Sequence, residues 1–553
     1  MTRELDITIV LKVYRRVKGL SNQIFCVALL LCVIPFPPSS PFPFRLVTSY
    51  TTQDTGAARE HDARGVALGE AGQLDAAILE FREAVRLDPR SPDAYFHLAL
   101  ALERIDQPRQ AMAEYEHALL LAPESIEARY GLSSVCAKAG DSSGAITLLR
   151  HVVEALPQFA EARYNLGLNL WNRYKTSSGF RQKADLDQAL EALTTASALE
   201  PREPKFHVAL GQLLVETQNL APAIEHLRTA VQLAPDDAQN AYDLGLALRL
   251  EGDLDRAEQQ FRAATLKHPQ HALAHRALGL VLRQKGQFDE AAGELRRAVT
   301  LKPDDAQGHQ VLGTVLLKLD RAAEAVVELR EAIRLDADVT ESRVTLAQTL
   351  AKTGRMDQAR EEQAAIQRIN ADNARDGQTL VLLQTASERL TKGDATSALA
   401  QLREAVALSP GFPEAHFQLA LALQQASADA AGAESAFRHV IALDPGHAPA
   451  HYQLGRLLMT RGDAKRAAVE LRTAIEIEPG LVDARRALAR LSLDARDWVT
   501  AIAELQRVLV WAPASAEAHF DLAVGLQGRG DRDAATREFA IAERLKPELR
   551  VPR

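Results

Sequence analysis

The chain has 553 residues, of which 47% are hydrophobic, 25% charged and only 5% aromatic. It is several times longer than an ordinary single domain, so one compact core is not expected. The formal net charge of -8 argues against a general nucleic-acid binder, which would carry a strongly basic face, although a local basic patch stays open.

The N-terminal stretch, residues 1–34, combines a basic start with an apolar run. Arg15, Arg16 and Lys18 precede residues 24–34, which are apolar and span about 16 Å as a helix, roughly half a hydrocarbon core. This order is typical of an export signal. We predict a signal peptide at 1–34 or, alternatively, an uncleaved membrane anchor; both place the body outside the cytoplasm, because the positive charges come first. A cytoplasmic protein is the remaining alternative.

Residues 35–57 are rich in Pro, Ser and Thr and predict an irregular linker. Cys136 is the one cysteine that follows it, since Cys26 and Cys32 belong to the N-terminal stretch. A single thiol forms neither an intramolecular disulfide nor a zinc site. The body is therefore expected to fold without disulfides.

Prolines recur at one regular step through the rest of the chain. When each unit is counted so that its proline is position 32, leucine recurs at position 7, a small residue at position 8 and alanine at position 20. Agreement at several positions makes coincidence an inadequate explanation. The prolines are Pro89, Pro123 and Pro157, then Pro201, Pro235, Pro269 and Pro303, then Pro445, Pro479, Pro513 and Pro547.

Each unit is predicted to be a helix hairpin. Positions 4, 7, 8 and 11 fall along one stripe of a first helix, and positions 20, 24 and 27 along one stripe of a second. Small residues at positions 8 and 20 let the two helices approach closely. Pairs such as Gly252-Asp253 and Gly286-Gln287 suit the turn between them. The proline ends the second helix, because it lacks the backbone donor.

In these positions the chain resembles the tetratricopeptide repeat family, whose repeat is about 34 residues long, the step that separates these prolines. The match covers residues 58–549 and fits fourteen units. The resemblance implies an all-α fold, a right-handed α-solenoid of about fourteen 34-residue helix-turn-helix repeats. We predict nine units in residues 58–376 and five in 377–549, followed by a tail at 550–553.

Two places break the period. The fourth unit has a basic and aromatic insertion near 171–183, which predicts either a protruding contact loop or a tolerated insertion without a partner. Units eight and nine have Ala337 and Ala371 where proline is expected, and five additional residues follow around 370–377. This second place is the candidate for a hinge or a superhelical irregularity, with a weak repeat as the alternative.

Histidine at position 4 recurs but does not predict a metal site. Equivalent positions in adjacent units lie roughly 10 Å apart, because packed helices are about 8–10 Å apart, whereas the ligands of one metal ion converge within a few ångströms. These histidines are predicted to fill a packing slot that holds Trp or Tyr elsewhere in the family. They are His61, His207, His275, His309, His416, His451 and His519.

No catalytic residue, cofactor or metal is predicted. The chain has no GxxxxGK[ST], HExxH, GxSxG or CxxC motif. Outside the repeats, no region is large enough for a catalytic domain. Some glycosyltransferases carry a similar array before a catalytic domain, which this chain lacks.

The resemblance also implies a concave binding groove. In this family, positions 2, 5, 9, 12 and 13 of the first helix line that surface. An apolar and aromatic groove with arginines suits a peptide with apolar and acidic groups; the alternative is that the aromatics pack inside their own hairpins. The residues carried over are Phe96, Leu100, Tyr130, Tyr164, Leu168, Tyr242, Arg249, Arg276, Arg283, Phe417, Tyr452, Arg456 and Phe520.

The sequence therefore predicts a non-catalytic scaffold or adaptor that binds partner proteins or peptides, and no nucleic acid, with the N-terminus as a tether to the membrane if it is not cleaved. Two alternatives stay open. One is a dedicated accessory subunit of an envelope secretion or polysaccharide assembly machine. The other is the repeat region of a glycosyltransferase-like system without its catalytic domain.

Overall fold

A computed structural model describes residues 56–176, 183–338, 340–427 and 429–549. Within these ranges the chain forms 27 α-helices and no β-strand. Consecutive helices pair into hairpins, and hairpins pack on their neighbours along the chain. The predicted all-α fold is confirmed.

The helices are numbered here in chain order. They are α1 (Gly56–Glu70), α2 (Leu74–Leu87), α3 (Pro92–Arg104), α4 (Pro108–Leu121), α5 (Ile126–Lys138), α6 (Ser142–Ala155), α7 (Ala160–Thr176), α8 (Lys183–Leu199), α9 (Pro204–Glu216), α10 (Leu220–Leu233), α11 (Ala238–Glu251), α12 (Leu254–Lys267), α13 (Ala272–Gln284), α14 (Phe288–Leu301), α15 (Ala306–Lys318), α16 (Ala322–Leu335), α17 (Thr340–Lys352), α18 (Met356–Thr391), α19 (Ala395–Leu408), α20 (Pro413–Ala422), α21 (Ala430–Leu443), α22 (Ala448–Thr460), α23 (Ala464–Ile477), α24 (Val482–Asp494), α25 (Trp498–Trp511), α26 (Ala516–Arg529) and α27 (Arg532–Leu545).

The described residues divide into two compact units. Unit 1 is residues 190–378, and unit 2 is residues 56–189 together with residues 379–549. The core of unit 1 runs through Phe261 and Leu295 and includes a smaller cluster around Leu346. In unit 2, core clusters surround Phe437 and Leu505. Each of these clusters contains residues of successive hairpins, as stacking requires.

Glycine at position 8 brings the two helices of a hairpin together. A Cβ atom on Gly245 would lie 2.6 Å from Cε1 of Phe261, and one on Gly279 would lie 2.6 Å from Cγ of Leu295. Both distances are far inside van der Waals contact, and both partner side chains are fully buried. The predicted role of the small residue is therefore confirmed.

We expect Gly279→Ala to destabilise unit 1 by about 1–3 kcal/mol, the usual cost of overpacking. Gly293 in α14 is the matched control, because it is exposed and an added Cβ would meet no atom within 4 Å. Gly293→Ala should stabilise by about 0.5–1 kcal/mol, since alanine loses less chain entropy in a helix. Urea unfolding followed by circular dichroism measures both, and two changes of the same sign would contradict the packing argument.

In twelve of the described hairpins, the turn between the two helices contains a left-handed residue. Its φ is 97° at Gly252 and 79° at Gly286, as the Gly-Asp and Gly-Gln pairs predict. Gln218 and Arg496 take the same turn with φ of 59° and 58°. Because a side chain makes this conformation less favourable by about 1–2 kcal/mol, these two turns are more strained than the glycine turns.

The described part of the insertion in the fourth hairpin is helical. Helices α7 and α8 have 17 residues each, compared with 13 and 14 in α9 and α10. Trp171 is buried, and Arg173 forms an ion pair of 2.6 Å with the buried Asp185. Residues 171–176 thus extend a helix instead of forming a loop. The contact loop stays a prediction for residues 177–182, which lie outside the described ranges.

No loop interrupts the chain at the predicted break near residues 370–377. Helix α18 continues through it for 36 residues. Ala371 stands where other units have proline, so its backbone N–H is available for the helix. Ala359 packs with Leu346 of α17, and Leu383 packs with Leu402 of α19. The irregularity is thus a shared helix, which is why 27 helices form fourteen hairpins; the division into nine and five units stays a prediction.

A second irregularity follows α20, which ends in a π-helical turn at Leu423–Ser427. The interval from Leu419 at position 7 to Ala433 at position 20 contains one more residue than the equivalent interval from Leu454 to Ala467 in the next unit. A π-turn accommodates one inserted residue without breaking the helix. The hairpin thereby keeps its packing.

The predicted signal or anchor at 1–34, the linker up to residue 55 and the tail at 550–553 lie outside the described residues. Helix α1 begins at Gly56, inside the predicted linker. Of the helices that the structure describes, none is long and apolar enough to cross a membrane.

Candidate functional site

First helices of neighbouring hairpins are linked by a recurring polar contact. Gln212 at position 9 of α9 donates to Asp243 at position 6 of α11 over 2.9 Å. Arg490 at position 9 of α24 donates to Asp521 at position 6 of α26 over 3.0 Å. The same two positions therefore meet in unit 1 and in unit 2. This row of first helices carries the predicted groove residues.

Four of the aromatic residues at position 5 pack against position 24 of their own hairpins. Aromatic rings attract at centroid separations of about 4.5–7 Å. Packing inside the hairpin, the alternative that the sequence left open, is what these contacts show. The pairs are Phe96–Tyr115 and Tyr242–Phe261 at 5.9 Å, Phe417–Phe437 at 6.0 Å and Phe520–Phe539 at 5.4 Å.

Several predicted groove residues are buried. The hydroxyl of Tyr130, for example, accepts a hydrogen bond of 2.6 Å from Asn165, and burial raises its pKa. These side chains were expected on an accessible surface, and the structure does not place them there. Phe417, Tyr452 and Phe520 are partly exposed, so a binding role stays a prediction for them. The buried residues are Phe96, Leu100, Tyr130, Tyr164, Leu168 and Tyr242.

Most of the predicted groove arginines have partners within the chain. Arg276 forms an ion pair of 2.6 Å with Asp305, the residue that precedes α15. The guanidinium of Arg456 lies 5.6 Å from the ring of Tyr452. Arg283 donates to the neutral hydroxyl of Thr314, over 3.4 Å. The charge of Arg276 is therefore neutralised internally, whereas the contact of Arg283 with a hydroxyl leaves its charge in place.

Asp243, which follows Tyr242 in α11, has a pKa near neutrality. Burial raises its pKa to about 7, although hydrogen bonds from Gln212 and Gln239 oppose the shift. Desolvation disfavours the carboxylate, whereas amide donors favour it. Near pH 7, both the protonated and the ionised form of Asp243 are therefore populated.

Position 4 has a role that the sequence analysis missed. In six hairpins its histidine Nε2 contacts the carbonyl oxygen six residues earlier, and in four hairpins an arginine replaces the histidine. A carboxylate 19 residues later often completes the link, as in the pair of His275 and Glu294. His275 thus bridges the carbonyl of Pro269 and the carboxylate of Glu294. In the sequence, this link could have been found as His or Arg at position 4 together with Glu at position 23 of the same unit.

Both ring nitrogens of such a histidine face acceptors. In His309, Nε2 lies 3.0 Å from the carbonyl oxygen of Pro303, and Nδ1 lies 2.6 Å from the carboxylate of Glu328. A neutral imidazole has one N–H, so only the imidazolium satisfies both contacts. The hydrogen bond with Glu328 accordingly raises the pKa of His309, against the opposing effect of burial.

We expect the protonated form of His309 to stabilise the folded protein, so the free energy of unfolding should fall as pH rises. Its folded pKa lies above the unfolded value of about 6.5, so its contribution is complete below that value and is lost as pH rises through the folded pKa. The free energy of unfolding of the parent chain should be larger at about pH 6 than at about pH 9. In His309→Gln this difference should be smaller by about 1 kcal/mol. Urea midpoints at both pH values measure this.

His416 is the control for that measurement. Its Nε2 contacts the carbonyl of Pro410 at 2.8 Å, its ring lies 4.2 Å from that of His439, and burial lowers its pKa. His416→Gln should therefore alter the pH dependence in the opposite direction, because the folded state favours its neutral form. Equal pH profiles for both variants would contradict the assignment.

Among the residues that the structure describes, no three His, Cys, Asp or Glu side chains converge on a position for a metal ion. A cavity in unit 1 has a volume of about 560 Å³ and is lined by residues such as Asp237, Lys267 and His271. It lies among the turns between hairpins, and its lining also includes Asp236 and His268.

Comparison with protein families agrees with these repeats. Models described as Tetratricopeptide repeat match residues 174–238, 242–306 and 383–448, and residues 106–166, 316–381, 424–491 and 458–519. A model described as TPR repeat matches residues 65–106. The chain belongs to the tetratricopeptide repeat family, whose members are generally non-catalytic scaffolds for protein interactions.

Several solved structures resemble parts of the chain. "MamA 41-end from Desulfovibrio magneticus RS-1" is 25% identical, covers 32% of this chain and 94% of its own, and has a TM-score of 0.29. Pseudomonas aeruginosa pilF is 19% identical, with coverages of 39% and 93% and a TM-score of 0.33. YrrB, described as a TPR protein with an unusual peptide-binding site, is 22% identical, with coverages of 41% and 95% and a TM-score of 0.25. No curated protein matches the chain.

Proposed function

We propose that the chain is a non-catalytic scaffold and that α11 and α13 of unit 1 bind a partner peptide with apolar and acidic groups. The observation that carries this proposal is a stripe of four partly exposed residues, Leu246, Arg249, Leu280 and Arg283. Each helix supplies a leucine at position 9 and an arginine at position 12. The stripe thus repeats an apolar contact and a positive charge at the spacing of neighbouring first helices.

Arg249 supports an acidic group in the partner. Its Nε atom is buried and has no hydrogen-bond partner among the described residues. An unsatisfied buried donor destabilises a protein by about 1–3 kcal/mol, and a charged donor by more. A carboxylate from a bound peptide would accept hydrogen bonds from the partly exposed guanidinium, and a movement of the side chain toward that carboxylate would bring Nε out of its buried position. Arg283, which donates to the hydroxyl of Thr314, would bind a second acidic group in the same way.

The helix spacing limits how such a peptide runs. Neighbouring packed helices are about 8–10 Å apart, and an extended peptide advances about 3.3 Å per residue. We therefore expect acidic residues about three positions apart, with apolar side chains between them that contact Leu246 and Leu280. Charge pairing would set specificity, and leucine burial would add affinity.

Charge reversal tests this proposal directly. A displayed random-peptide library is selected on the full chain, and enriched peptides are titrated against Arg249→Glu/Arg283→Glu. The matched control is Arg256→Glu/Arg297→Glu, the same charge change at exposed positions of the second helices α12 and α14. We expect acidic and apolar peptides whose affinity falls at least tenfold in the first variant only. Equal affinity for both variants, or enrichment of basic peptides, would contradict the proposal.

We further propose that the body functions outside the cytoplasm or on a membrane tether. Support comes from residues 1–34 alone, where basic residues precede the apolar run. Fractionation of the native host, combined with N-terminal sequencing of the recovered protein, tests this. A protein cleaved after the apolar run supports export, an intact protein in the membrane fraction supports the tether, and an intact protein in the cytoplasm contradicts both.

A further inference from the structure

Unit 2 contains a contact between hairpins that are far apart along the chain. Helix α25, in the thirteenth hairpin, packs against α4 and α6, in the second and third hairpins. In an open solenoid each repeat contacts only its neighbours. This contact is therefore additional to the stacking that the repeat pattern explains.

The centre of the contact is the buried carboxylate of Glu116. Its Oε1 accepts hydrogen bonds from Nε1 of Trp511 at 3.1 Å and from Nη2 of Arg485 at 3.3 Å, and Nε of Arg507 lies 3.7 Å from Oε2. Glu116, Arg485 and Trp511 are 5%, 6% and 0% exposed. A buried charge that loses its partner is strongly unfavourable, so the two surfaces depend on each other.

The backbones also meet at this contact. Asp141 caps α6 by accepting a hydrogen bond of 2.7 Å from the amide of Gly144, and its other oxygen accepts one of 2.7 Å from the amide of Gly480. A Cβ atom on Gly480 would lie 2.6 Å from Cα of Gly144. Neither glycine has room for a side chain while the contact is closed.

Glu116 departs from the repeat pattern in charge. At the same position, 25, nine other hairpins have arginine, so Glu116 reverses the sign and provides the acceptor that Arg485 and Arg507 need. The arginines are Arg82, Arg150, Arg228, Arg262, Arg296, Arg330, Arg403, Arg438 and Arg472.

Trp511 departs from the pattern in size and burial. At the same position, 30, five other hairpins have a leucine that is 38% to 42% exposed, whereas Trp511 is 0% exposed. Glu116 and Trp511 are 395 positions apart, yet both deviate from the repeat and they contact each other. The leucines are Leu121, Leu233, Leu301, Leu443 and Leu545.

We propose that Glu116, Asp141, Gly480, Arg485 and Trp511 form an intramolecular latch that holds the two chain segments of unit 2, residues 56–189 and 379–549, closed on each other. The latch is a conformational device: its opening separates two surfaces without unfolding either set of hairpins, because each set keeps its own stacking. This inference is independent of the peptide-binding proposal, which concerns unit 1.

Energy transfer between two dyes measures the latch in the full chain. The dyes are attached at Glu124→Cys and Glu476→Cys, two exposed positions of which one follows α4 and the other lies shortly before Gly480. Cys26→Ser and Cys32→Ser remove the other reactive thiols, and Cys136 is buried. We expect high transfer in this doubly labelled chain. Transfer that arises only when singly labelled chains are mixed would overturn the proposal, since the contact would then join two copies.

Glu116→Arg is the first variant. It installs the residue that nine other hairpins accept at this position, so the hairpin itself should fold, but it places like charges beside Arg485 and Arg507. We expect energy transfer to fall at least twofold with unchanged helicity by circular dichroism. Arg82→Glu, the opposite exchange at the same position of the first hairpin, should leave transfer unchanged.

Gly480→Ala is the second variant. Its matched control is Gly446→Ala, because Gly446 also follows a proline, in the preceding turn between hairpins. An added Cβ on Gly446 would meet only Asp444, at an ordinary 3.4 Å. Energy transfer should fall in Gly480→Ala and persist in Gly446→Ala. If Glu116→Arg and Gly480→Ala both fold and both keep the transfer of the parent chain, the latch does not exist.

Discussion

Replacing Phe261 with alanine is expected to destabilise unit 1 by about 3–5 kcal/mol. Phe261 is fully buried in the core cluster that joins neighbouring hairpins of unit 1. Its ring lies 5.9 Å from that of Tyr242 and occupies the space beside Gly245. Because Gly245 has no side chain that could move into the cavity, the truncated site should relax poorly.

The matched control for Phe261→Ala is Leu266→Ala in the same helix, α12. Leu266 is 82% exposed, so its truncation should change stability by less than about 0.5 kcal/mol. Arrays of repeats unfold in parts, so the measurement is urea-dependent hydrogen exchange of the amides in α11, α12 and α13. Similar effects of both substitutions would show that the position-24 side chain does not hold the hairpins together.

Replacing Trp511 with alanine is expected to destabilise unit 2 by a similar amount, about 3–5 kcal/mol. The indole is completely buried and donates the 3.1 Å hydrogen bond to Glu116. Its removal leaves a cavity beside Gly144 and deprives a buried carboxylate of one donor. Both effects act on the contact between distant hairpins.

Leu443→Ala is the matched control for Trp511→Ala, because Leu443 has the same repeat position and is 38% exposed. We expect a loss of less than about 1 kcal/mol there. Hydrogen exchange should accelerate in α4 and α6 in the Trp511 variant and remain unchanged in those helices in the Leu443 variant. Faster exchange confined to α25 and its chain neighbours would mean that the long-range contact contributes no stability.

The repeat fold could be predicted from the sequence because its signal is local and is repeated many times. Position 8 faces position 24 of the same hairpin, so Gly245 and Gly279 show their role by spacing alone. The turn glycines are predictable for the same reason. The structure of residues 370–377 was harder to predict, because the absence of proline at Ala371 is compatible with either a loop or a continuous helix. The structure shows the helix.

The candidate site could be predicted less well. A position in the repeat fixes the side of a helix, but the exposure of a side chain depends on what packs over it. Tyr130 and Tyr164 share a position with the partly exposed Phe417 and Phe520, yet they are buried. The latch was beyond a periodicity argument altogether, since the contact between Glu116 and Trp511 is neither local nor repeated.

The most direct test of the proposed function asks which helices touch the partner. A photoreactive phenylalanine analogue is placed either at Leu280, in the proposed stripe, or at Leu266, on the exposed side of a second helix. The chain is irradiated in its native host, and cross-linked proteins are identified. We expect a defined partner cross-linked through position 280 and none through position 266. The same partner captured through 266 alone would contradict the proposal, because binding would then use the opposite helices of the array.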